Sequence, residues 1–354
     1  MDKKFTIEML PGREGDCLWI EYGAAADVHR ILIDGGRKGT WKALSGRIDA
    51  AADKPCHFDL MVITHVDADH IEGVLELLKS KSKAIVIDEI WFNGWKHLDE
   101  NEIETFGPVQ GEMLTYAITK RKIKWNSYFN GKAVAVPKTG FGDCTLPGGM
   151  NISLLSPTRE SLLTLKPVWE KACADAGIKP GAERYTEPPS GFESFGALDV
   201  DKLAGTSFQT DPSETNGSSI AFIAKFEQKS LLLAGDAHPD VLLEGIKKRQ
   251  IDGKKLPIDA FKVPHHGSKY NFNNDLLGSV ACSKYLISTS GARFNHPDPE
   301  TIAKIIKNGG NSPELYFNYK STRTEIWDNE QLIKKYGYSA IYKNEENGEV
   351  INIL

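Results

Sequence analysis

The stretch from Val62 to Glu72, V-I-T-H-V-D-A-D-H-I-E, concentrates residue types that bind metal ions. In an extended segment alternate side chains share a face, so His65 and Asp67 can converge on one point. The adjacent residues Asp69 and His70 then diverge and can serve a second point. Imidazole and carboxylate groups are ligands for zinc and manganese. The pattern predicts two metal ions a few ångströms apart, against the alternative of a surface loop with chance polar residues.

Two later segments repeat this arrangement of polar groups directly after an apolar strand. The run L-L-L-A-G-D ends in Asp236, and a predicted strand over 258–263 leads into P-H-H-G-S with His265 and His266. Four of the nine histidines therefore fall in two tight clusters. Each of the three segments places an acidic side chain or an imidazole at the carboxyl end of a strand. The three together are a more specific signal for a metal site than any one of them alone.

Hydrophobic periodicity and turn residues predict the elements that must position these groups. Predicted strands cover 4–9, 17–22, 30–34, 58–64, 84–92, 132–137, 151–156, 218–226, 230–235, 258–263, 284–289, 314–318, 338–343 and 348–353. Predicted helices cover 40–52, 70–80, 101–120, 158–176, 238–250, 272–281 and 299–308. Strands followed by mixed strands and helices recur in two halves. This order predicts an α/β fold in which two mixed β-sheets pack face to face, with helices on the outside.

The chain is expected to form a single domain over 1–354, with an insertion region at 95–215. Residues 177–217 are rich in proline and glycine and lack periodicity, which is typical of an ordered flap or of disorder. The interpretation preferred here is a flap over the metal site.

The motifs resemble those of the metallo-β-lactamase fold superfamily, and most closely the hydrolase domain of ComEC-type DNA-uptake proteins and their stand-alone relatives. The resemblance covers most of the chain except roughly 95–215. The matching stretches are R-E-G-D at 13–16, I-D-G-G at 33–36, the 65–70 motif, N-G-S at 216–218, L-A-G-D at 233–236, H-H-G-S at 265–268 and N-H-P at 295–297.

This resemblance implies two divalent ions, Zn or Mn, bridged by Asp236. It places His65 and Asp67 on the first ion, and Asp69, His70 and His266 on the second. His265 is then a substrate or ligand-supporting partner, although which of the two adjacent histidines is the ligand stays open.

The remaining groups have an alternative each. Asp16 and Asp34 would align the ligands by hydrogen bonds, or are ordinary turn aspartates. Ser268 and His296 would touch a substrate oxygen or the ligands, or would cap loops. Asp69, His265 and His296 are the expected catalytic residues, with Asp69 also orienting water.

The pattern departs from the superfamily in two ways. Asp67 stands where a second histidine is usual, as in the ComEC branch, and no clear histidine counterpart lies between His70 and Asp236. His97 is the only histidine there and its position is wrong, whereas Asn216 lies closer in sequence but an amide is a weak ligand. The first metal is therefore expected to be completed by water and to be labile.

The resulting hypothesis is a metal-dependent phosphodiesterase, most plausibly a nuclease, that uses a metal-bridging hydroxide. Basic residues interleave with aromatic ones over 119–132, which is typical either of single-stranded nucleic-acid binding or of a helix end followed by a strand. A second basic cluster comprises Lys247, Lys248, Arg249, Lys254 and Lys255. The alternatives are a hydrolase of small esters, lactones or phosphocholine esters, and a metal-stabilised interaction module.

Net charge, cysteine content and apolar runs bear on nucleic-acid binding and on the cellular compartment. A formal charge of −5 over 354 residues argues against coating nucleic acid by bulk electrostatics. Five cysteines without C-x-x-C suit free thiols in a reducing compartment. No signal-like or membrane-length apolar run occurs. The protein is expected to be cytoplasmic, away from membranes, with nucleic acid or another phosphodiester as substrate and with partner proteins if it works within a larger system.

Overall fold

A computed structural model describes residues 3–80, 85–98, 109–175, 198–342 and 349–354. Among them the strands are β1 Lys3–Met9, β2 Leu18–Ala24, β3 Asp27–Ile33, β4 Cys56–Phe58, β5 Leu60–Val62, β6 Ile85–Ile87, β7 Glu89–Trp91, β8 Lys124–Trp125, β9 Asp143–Thr145, β10 Asn151–Ser156, β11 Ala221–Phe226, β12 Lys229–Leu233, β13 Leu256–Pro257, β14 Ala260–Lys262, β15 Val280–Ala281, β16 Lys284–Ile287, β17 Glu314–Phe317, β18 Ser339–Tyr342 and β19 Glu349–Asn352. The α-helices are α1 Trp41–Asp49, α2 Ala68–Lys79, α3 Val109–Arg121, α4 Arg159–Asp175, α5 Val200–Ala204, α6 Glu214–Gly217, α7 Pro239–Lys247, α8 Asn274–Ser279, α9 Pro299–Asn308 and α10 Glu330–Tyr336.

Two large mixed sheets form the centre of the fold. The first has the strand order β19-β1-β2-β3-β5-β7-β8, and the second has the order β18-β17-β16-β14-β12-β11-β10-β9. Strands β3, β5, β7 and β8 pair in parallel, as do β12, β14, β16, β17 and β18. The carboxyl ends of parallel strands meet at one edge of a sheet, where α/β folds hold their ligands.

Three hydrophobic clusters fill the spaces between four layers. One joins the inner faces of both sheets and includes Ile20, Leu60, Phe222 and Leu231. The second packs the first sheet against helices α1 to α4, and the third packs the second sheet against α5 and α7 to α9. The predicted α/β sandwich, two mixed sheets with helices outside, is confirmed.

Local predictions differ from the structure at identifiable places. Residues 132–137 are not a strand, because Val134 bonds through both backbone groups to the Asn93 side chain rather than to a neighbouring strand. Helix α2 begins at Ala68, two residues earlier than expected. Helix α10 was not predicted. Of the predicted flap, residues 177–197 lie outside the described residues, so the flap stays a prediction.

The basic and aromatic segment 119–132 follows its simpler interpretation. Helix α3 ends at Arg121 and strand β8 follows at Lys124–Trp125. The Trp125 ring stacks on Phe92 and donates from Nε1 to the Phe92 carbonyl at 2.8 Å. Its aromatic surface is therefore already used within the fold.

None of the helices in the described ranges has both the length and the apolar character needed to cross a bilayer. None of the five cysteines forms a disulfide bond in the part of the chain that the structure describes.

A close backbone approach fixes helix α2 against the loop after β3. A Cβ added to Gly73 would lie 1.9 Å from the Gly35 carbonyl oxygen, and Gly35 N donates to the His70 carbonyl at 2.8 Å. This contact sets the position of the helix that carries Asp69 and His70.

Replacing Gly73 by Ala is expected to lower the free energy of unfolding by about 1–3 kcal/mol, because the methyl group would overpack backbone that cannot move aside. Urea denaturation measures the change. The matched control is Gly46→Ala in α1, where no atom lies within 4 Å of the added Cβ. That control should gain about 0.5–1 kcal/mol from helix propensity. Equal behaviour of the two variants would contradict the packing argument.

Candidate metal centre

The Asp236 carboxylate lies at the centre of a cluster of imidazoles. Its Oδ2 is 3.3 Å from His70 Nε2, 3.5 Å from His266 Nε2, and 3.8 Å from both His65 Nε2 and His265 Nε2. Residues from three distant segments thus meet at one point, and all except His265 are almost fully buried.

The carboxyl ends of three parallel strands bring these residues together. His65 follows β5, Asp236 follows β12, and the pair His265 and His266 follows β14. Both paired histidines adopt left-handed backbone conformations, with φ of 46° and 55°. Non-glycine residues rarely adopt this conformation, and its cost is characteristic of functional sites. Here it allows two consecutive imidazoles to face the same carboxylate.

A second cluster adjoins the first and shares His70 with it. His266 Nε2 lies 3.2 Å from His70 Nε2 and 3.6 Å from Asp69 Oδ2. Asp69 and His70 both lie in the first turn of α2 and form one candidate group with His266. That this pair serves a second ion stays a prediction. His70 faces both clusters. Asp67 precedes the helix, and its Oδ2 is 3.6 Å from His65 Nε2.

Hydrogen bonds fix which nitrogen of each imidazole carries the proton. His70 Nδ1 lies 2.7 Å from Asp34 Oδ2, and His266 Nδ1 lies 2.9 Å from the Ser288 carbonyl oxygen. Both partners are acceptors, so each Nδ1 donates. His265 Nδ1 pairs likewise with Asn271 Oδ1 at 2.7 Å. The Nε2 lone pairs of these rings are therefore left facing Asp236.

The His65 ring follows the same rule through Thr64. Thr64 Oγ1 donates to Asp34 Oδ2 at 2.7 Å, which leaves it to accept from His65 Nδ1 at 3.0 Å. The Nε2 lone pair of His65 then also points toward Asp236.

Lone pairs that face a carboxylate at this range repel it unless a cation lies between them. Among the described residues, the buried atoms His65 Nε2 and Asp236 Oδ1 have no hydrogen-bond partner. Buried polar atoms without partners are rare in folded proteins. Two groups of three residues can each hold an ion, His65 with His70 and Asp236, and Asp69 with His70 and His266. The donor set therefore fits divalent metal ions.

In the absence of metal, the pKa values indicate that protons on the imidazoles balance the charge of the buried carboxylates. Burial would lower the pKa of His70, but the Asp236 and Asp34 carboxylates raise it well above its ordinary value. Burial would likewise lower the pKa of His266, which Asp236 and Asp16 raise to about 9. Burial would raise the pKa of Asp236, yet His266, His70 and His265 hold it well below its usual range. Binding of metal would release the protons held in this way.

Asp34 holds two imidazoles in place, His70 directly and His65 through the Thr64 hydroxyl. Its Oδ1 accepts from Thr64 N at 2.8 Å, while Oδ2 accepts from both Thr64 Oγ1 and His70 Nδ1. The structure thus places it in direct contact with an expected ligand.

Asp34→Asn is expected to weaken metal binding by about 10–100-fold, because an amide facing His70 Nδ1 can donate and so favour the tautomer whose Nε2 carries the proton. Metal titration followed by elemental analysis after dialysis measures the effect. Asp27→Asn, at the exposed start of β3, the strand that Asp34 follows, is the matched control and should leave metal affinity unchanged. Retention of full affinity by the Asp34 variant would show that the carboxylate does not set the tautomer.

Asp16 lies on the other side of the cluster, where sequence analysis missed its partner. Its Oδ2 is 2.8 Å from Lys262 Nζ, and both side chains are about 1% exposed. Its Oδ1 is 3.4 Å from His266 Nδ1. Burial raises the pKa of Asp16, but the Lys262 ammonium and the His266 imidazole hold it well below its usual range. A lysine inside an apolar strand was the available signal, since a buried ammonium requires a partner.

A polar network around Asp211 was also missed. Asp211 Oδ2 accepts from Asn216 Nδ2 at 2.7 Å and from Asn271 Nδ2 at 2.9 Å, and it lies 3.6 Å from His265 Nδ1. Asn216 therefore lies at the site, with its Oδ1 unbonded among the described residues. No local pattern in the sequence marks Asp211 or Asn271.

Ser268 and His296 lie near the site in different ways. Ser268 N donates to the His265 carbonyl at 2.8 Å, and its Oγ accepts from Tyr270 N at 3.3 Å, so its contacts shape the loop. The His296 ring lies edge to face against His265, with 5.1 Å between centroids. His97 lies elsewhere, next to Asn126, and burial lowers its pKa to about 3.

Comparison with known proteins agrees with this architecture. Residues 11–164, which include Asp16, Asp34 and the 65–70 motif, match the family model of the Metallo-beta-lactamase superfamily. Comparison with curated proteins gives no significant match.

Solved structures with similar architecture are distant in sequence. A protein from Parabacteroides distasonis described as a metal-dependent hydrolase is 14% identical, with 98% of this chain and 94% of that chain covered and a TM-score of 0.38. CmlA, a diiron β-hydroxylase from Streptomyces venezuelae, is 11% identical over 99% of this chain and 55% of that chain, with a TM-score of 0.43. The short form of human tRNase Z is 11% identical, with both chains fully covered and a TM-score of 0.38.

The match over residues 11–164 and the two mixed sheets with outer helices define the fold as metallo-β-lactamase-like, and the His/Asp clusters mark a candidate metal centre within it. More particularly, residues 11–164 are similar to the Metallo-beta-lactamase superfamily model, and the two candidate groups of metal ligands share His70.

Proposed function

We propose that this protein is a metal-dependent phosphodiesterase that hydrolyses nucleic acid. The observation that carries the proposal is the ring of four imidazoles around Asp236, with Asp69 and Asp67 beside it. These groups offer two adjacent candidate ion sites that share His70, with the Asp236 carboxylate facing both His70 and His266. Two ions about 3.5–4 Å apart suit the attacking and leaving oxygens of phosphoryl transfer. The motif resemblance to ComEC-type hydrolase domains, which rests on the same residues, supports the same reaction class.

When bound, the ions would supply Lewis acidity and an activated water. His65, Asp67 and Asp236 would hold one ion, and Asp69, His70, His266 and Asp236 the other. The carboxylates of Asp67, Asp69 and Asp236 would leave only about +1 of the charge of two divalent ions. An anionic phosphodiester would still bind, because the ions are electrophiles for its oxygens.

The chain's own residues have further roles beside the metal. His265 is 23% exposed and so reaches the mouth of the site, where its ring can bind a substrate oxygen or pass a proton to a leaving group. Asn271 and Asp211 hold that ring in orientation. Asp34 and Asp16 keep His70 and His266 directed inward.

The test is cleavage by the metal-loaded protein. Elemental analysis first establishes metal content, after which single-stranded and double-stranded DNA and RNA are incubated with Mn²⁺ or Zn²⁺. Cleavage by the wild type that is lost in Asp236→Asn supports the proposal. Absence of cleavage of every nucleic acid with either metal would refute it.

The competing function is hydrolysis of a small neutral ester or lactone, and the dense carboxylates around the site favour it over a polyanionic substrate. A salt titration separates the two. Binding of nucleic acid should weaken steeply with added salt, because counterions are released on binding, whereas turnover of a neutral ester should scarcely respond.

A further inference from the structure

Two exposed aromatic side chains lie on the loops that carry His265, His266 and His296. Phe294 is 48% exposed and Tyr270 is 39% exposed. Phe294 lies two residues before His296, and Tyr270 lies four residues after His266. Single exposed aromatic rings are common on protein surfaces. What distinguishes these two rings is their position beside the metal centre and the cations next to them.

Ring contacts connect Phe294 with the metal centre. Its ring centroid is 6.4 Å from that of His296, whose ring in turn lies 5.1 Å from that of His265. His265 Nε2 faces Asp236 Oδ2 at 3.8 Å. Phe294 is therefore two ring contacts from a side chain that faces the shared carboxylate.

A cation accompanies each aromatic ring. Arg293 Cζ lies 5.4 Å from the Phe294 ring centroid, and Lys269 Nζ lies 5.6 Å from that of Tyr270. Glu300 pairs with Lys269 at 3.2 Å and so partly neutralises it. Arg293 therefore gives the surface around Phe294 more positive charge than Lys269 gives the surface around Tyr270. We expect a phosphate to bind beside Phe294 rather than beside Tyr270.

We infer that Phe294 and Tyr270 form a base-stacking subsite, which makes the substrate of this centre a single-stranded or unpaired nucleic acid. This inference rests on the proposed phosphodiesterase function. Aromatic faces stack on any base, while neighbouring cations hold the phosphates. A duplex hides the faces of its bases, so the subsite discriminates against paired strands. The segment 119–132 does not supply such a surface through Trp125, whose ring stacks within the fold.

The experiment compares KM and kcat of the metal-loaded protein for two strands of equal length and charge, one an ordinary single-stranded oligonucleotide and the other abasic. Phe294→Ala is expected to raise KM for the ordinary strand by at least about 5-fold, with a much smaller change in kcat. The abasic strand should bind the wild type more weakly and should be insensitive to the substitution. Phe294→Trp retains a stacking surface and should keep a near wild-type KM.

The matched control is Phe141→Ala. Phe141 is 46% exposed and carries Arg249 at 5.0 Å over its ring, but it precedes β9 at the edge of the second sheet. Its substitution should leave KM unchanged.

Each contrary result has a distinct meaning. Cleavage by the wild type with equal KM for Phe294→Ala, or equal KM for ordinary and abasic strands, would overturn the stacking subsite and leave the phosphodiesterase proposal intact. Equal losses in the Phe141 and Phe294 variants would also overturn the subsite. Failure of the wild type to cleave any strand would refute the proposed function, and the subsite with it.

Discussion

Asp236→Asn is expected to abolish stable binding of both metal ions and to reduce hydrolysis by more than about 100-fold. Loss of a residue that supports a ligand costs about 10–100-fold, and Asp236 is in a position to contact both ions directly. The substitution keeps the size of the side chain and leaves in place two backbone bonds, from Asp236 N to Ser219 Oγ and from Asn271 Nδ2 to the Asp236 carbonyl. Only the charge facing the four imidazoles is lost.

Metal content and thermal unfolding with and without added metal measure this effect. The wild type should unfold at higher temperature when metal is added, because a ligand that binds the native state stabilises it, and the variant should not respond. Asp240→Asn, an exposed position in the first turn of α7, is the control. A variant at position 236 that kept two ions and the wild-type rate would exclude Asp236 as the shared ligand.

Lys262→Met is expected to lower the free energy of unfolding by about 3–5 kcal/mol, because it leaves the Asp16 carboxylate buried without its cation. Lys262 Nζ also donates to the Val263 carbonyl at 2.9 Å. The substitution therefore removes a second buried hydrogen bond as well as the ion pair. Replacing both members, as in Asp16→Leu with Lys262→Met, should recover part of the loss, since no unpaired charge then remains.

Denaturant titration of the single and double variants measures the coupling. Lys229→Met on the adjacent strand β12 is the matched control, because its 2.8 Å ion pair with Asp259 has the same length but is 41% and 29% exposed. Solvent-exposed pairs contribute about 0–1 kcal/mol. Similar losses at positions 262 and 229 would contradict the argument that burial determines the cost.

The fold was largely predictable from local patterns. Apolar runs identified the strands that lead into His65, Asp236 and His265, since buried parallel strands are continuously hydrophobic. The error at 132–137 arose because an extended segment can satisfy its backbone on a side chain, in this case that of Asn93. Helix α10 was missed in a region where the sequence offered no prediction between 318 and 338.

The site was predictable only in part, for a physical reason. Spacing within the 65–70 motif predicted clustered ligands, but that His70 would also face His65 and Asp236 depended on where α2 begins and how it packs. Asp34 and the Ser288 carbonyl accept the Nδ1 protons of His70 and His266, and they follow strands of different sheets. The assignment of individual ligands to individual ions stays a prediction.

The sequence by itself determined which side chains could bind metal and that each follows a strand, because strand hydrophobicity and ligand type are local properties. Only the tertiary structure decided that four imidazoles would face one carboxylate, that Asp16 would pair with Lys262, and that Asp211 would orient His265. Those contacts depend on the order in which strands pair and on the packing of two sheets, and residues that are hundreds of positions apart become neighbours only when the whole hydrophobic core has formed.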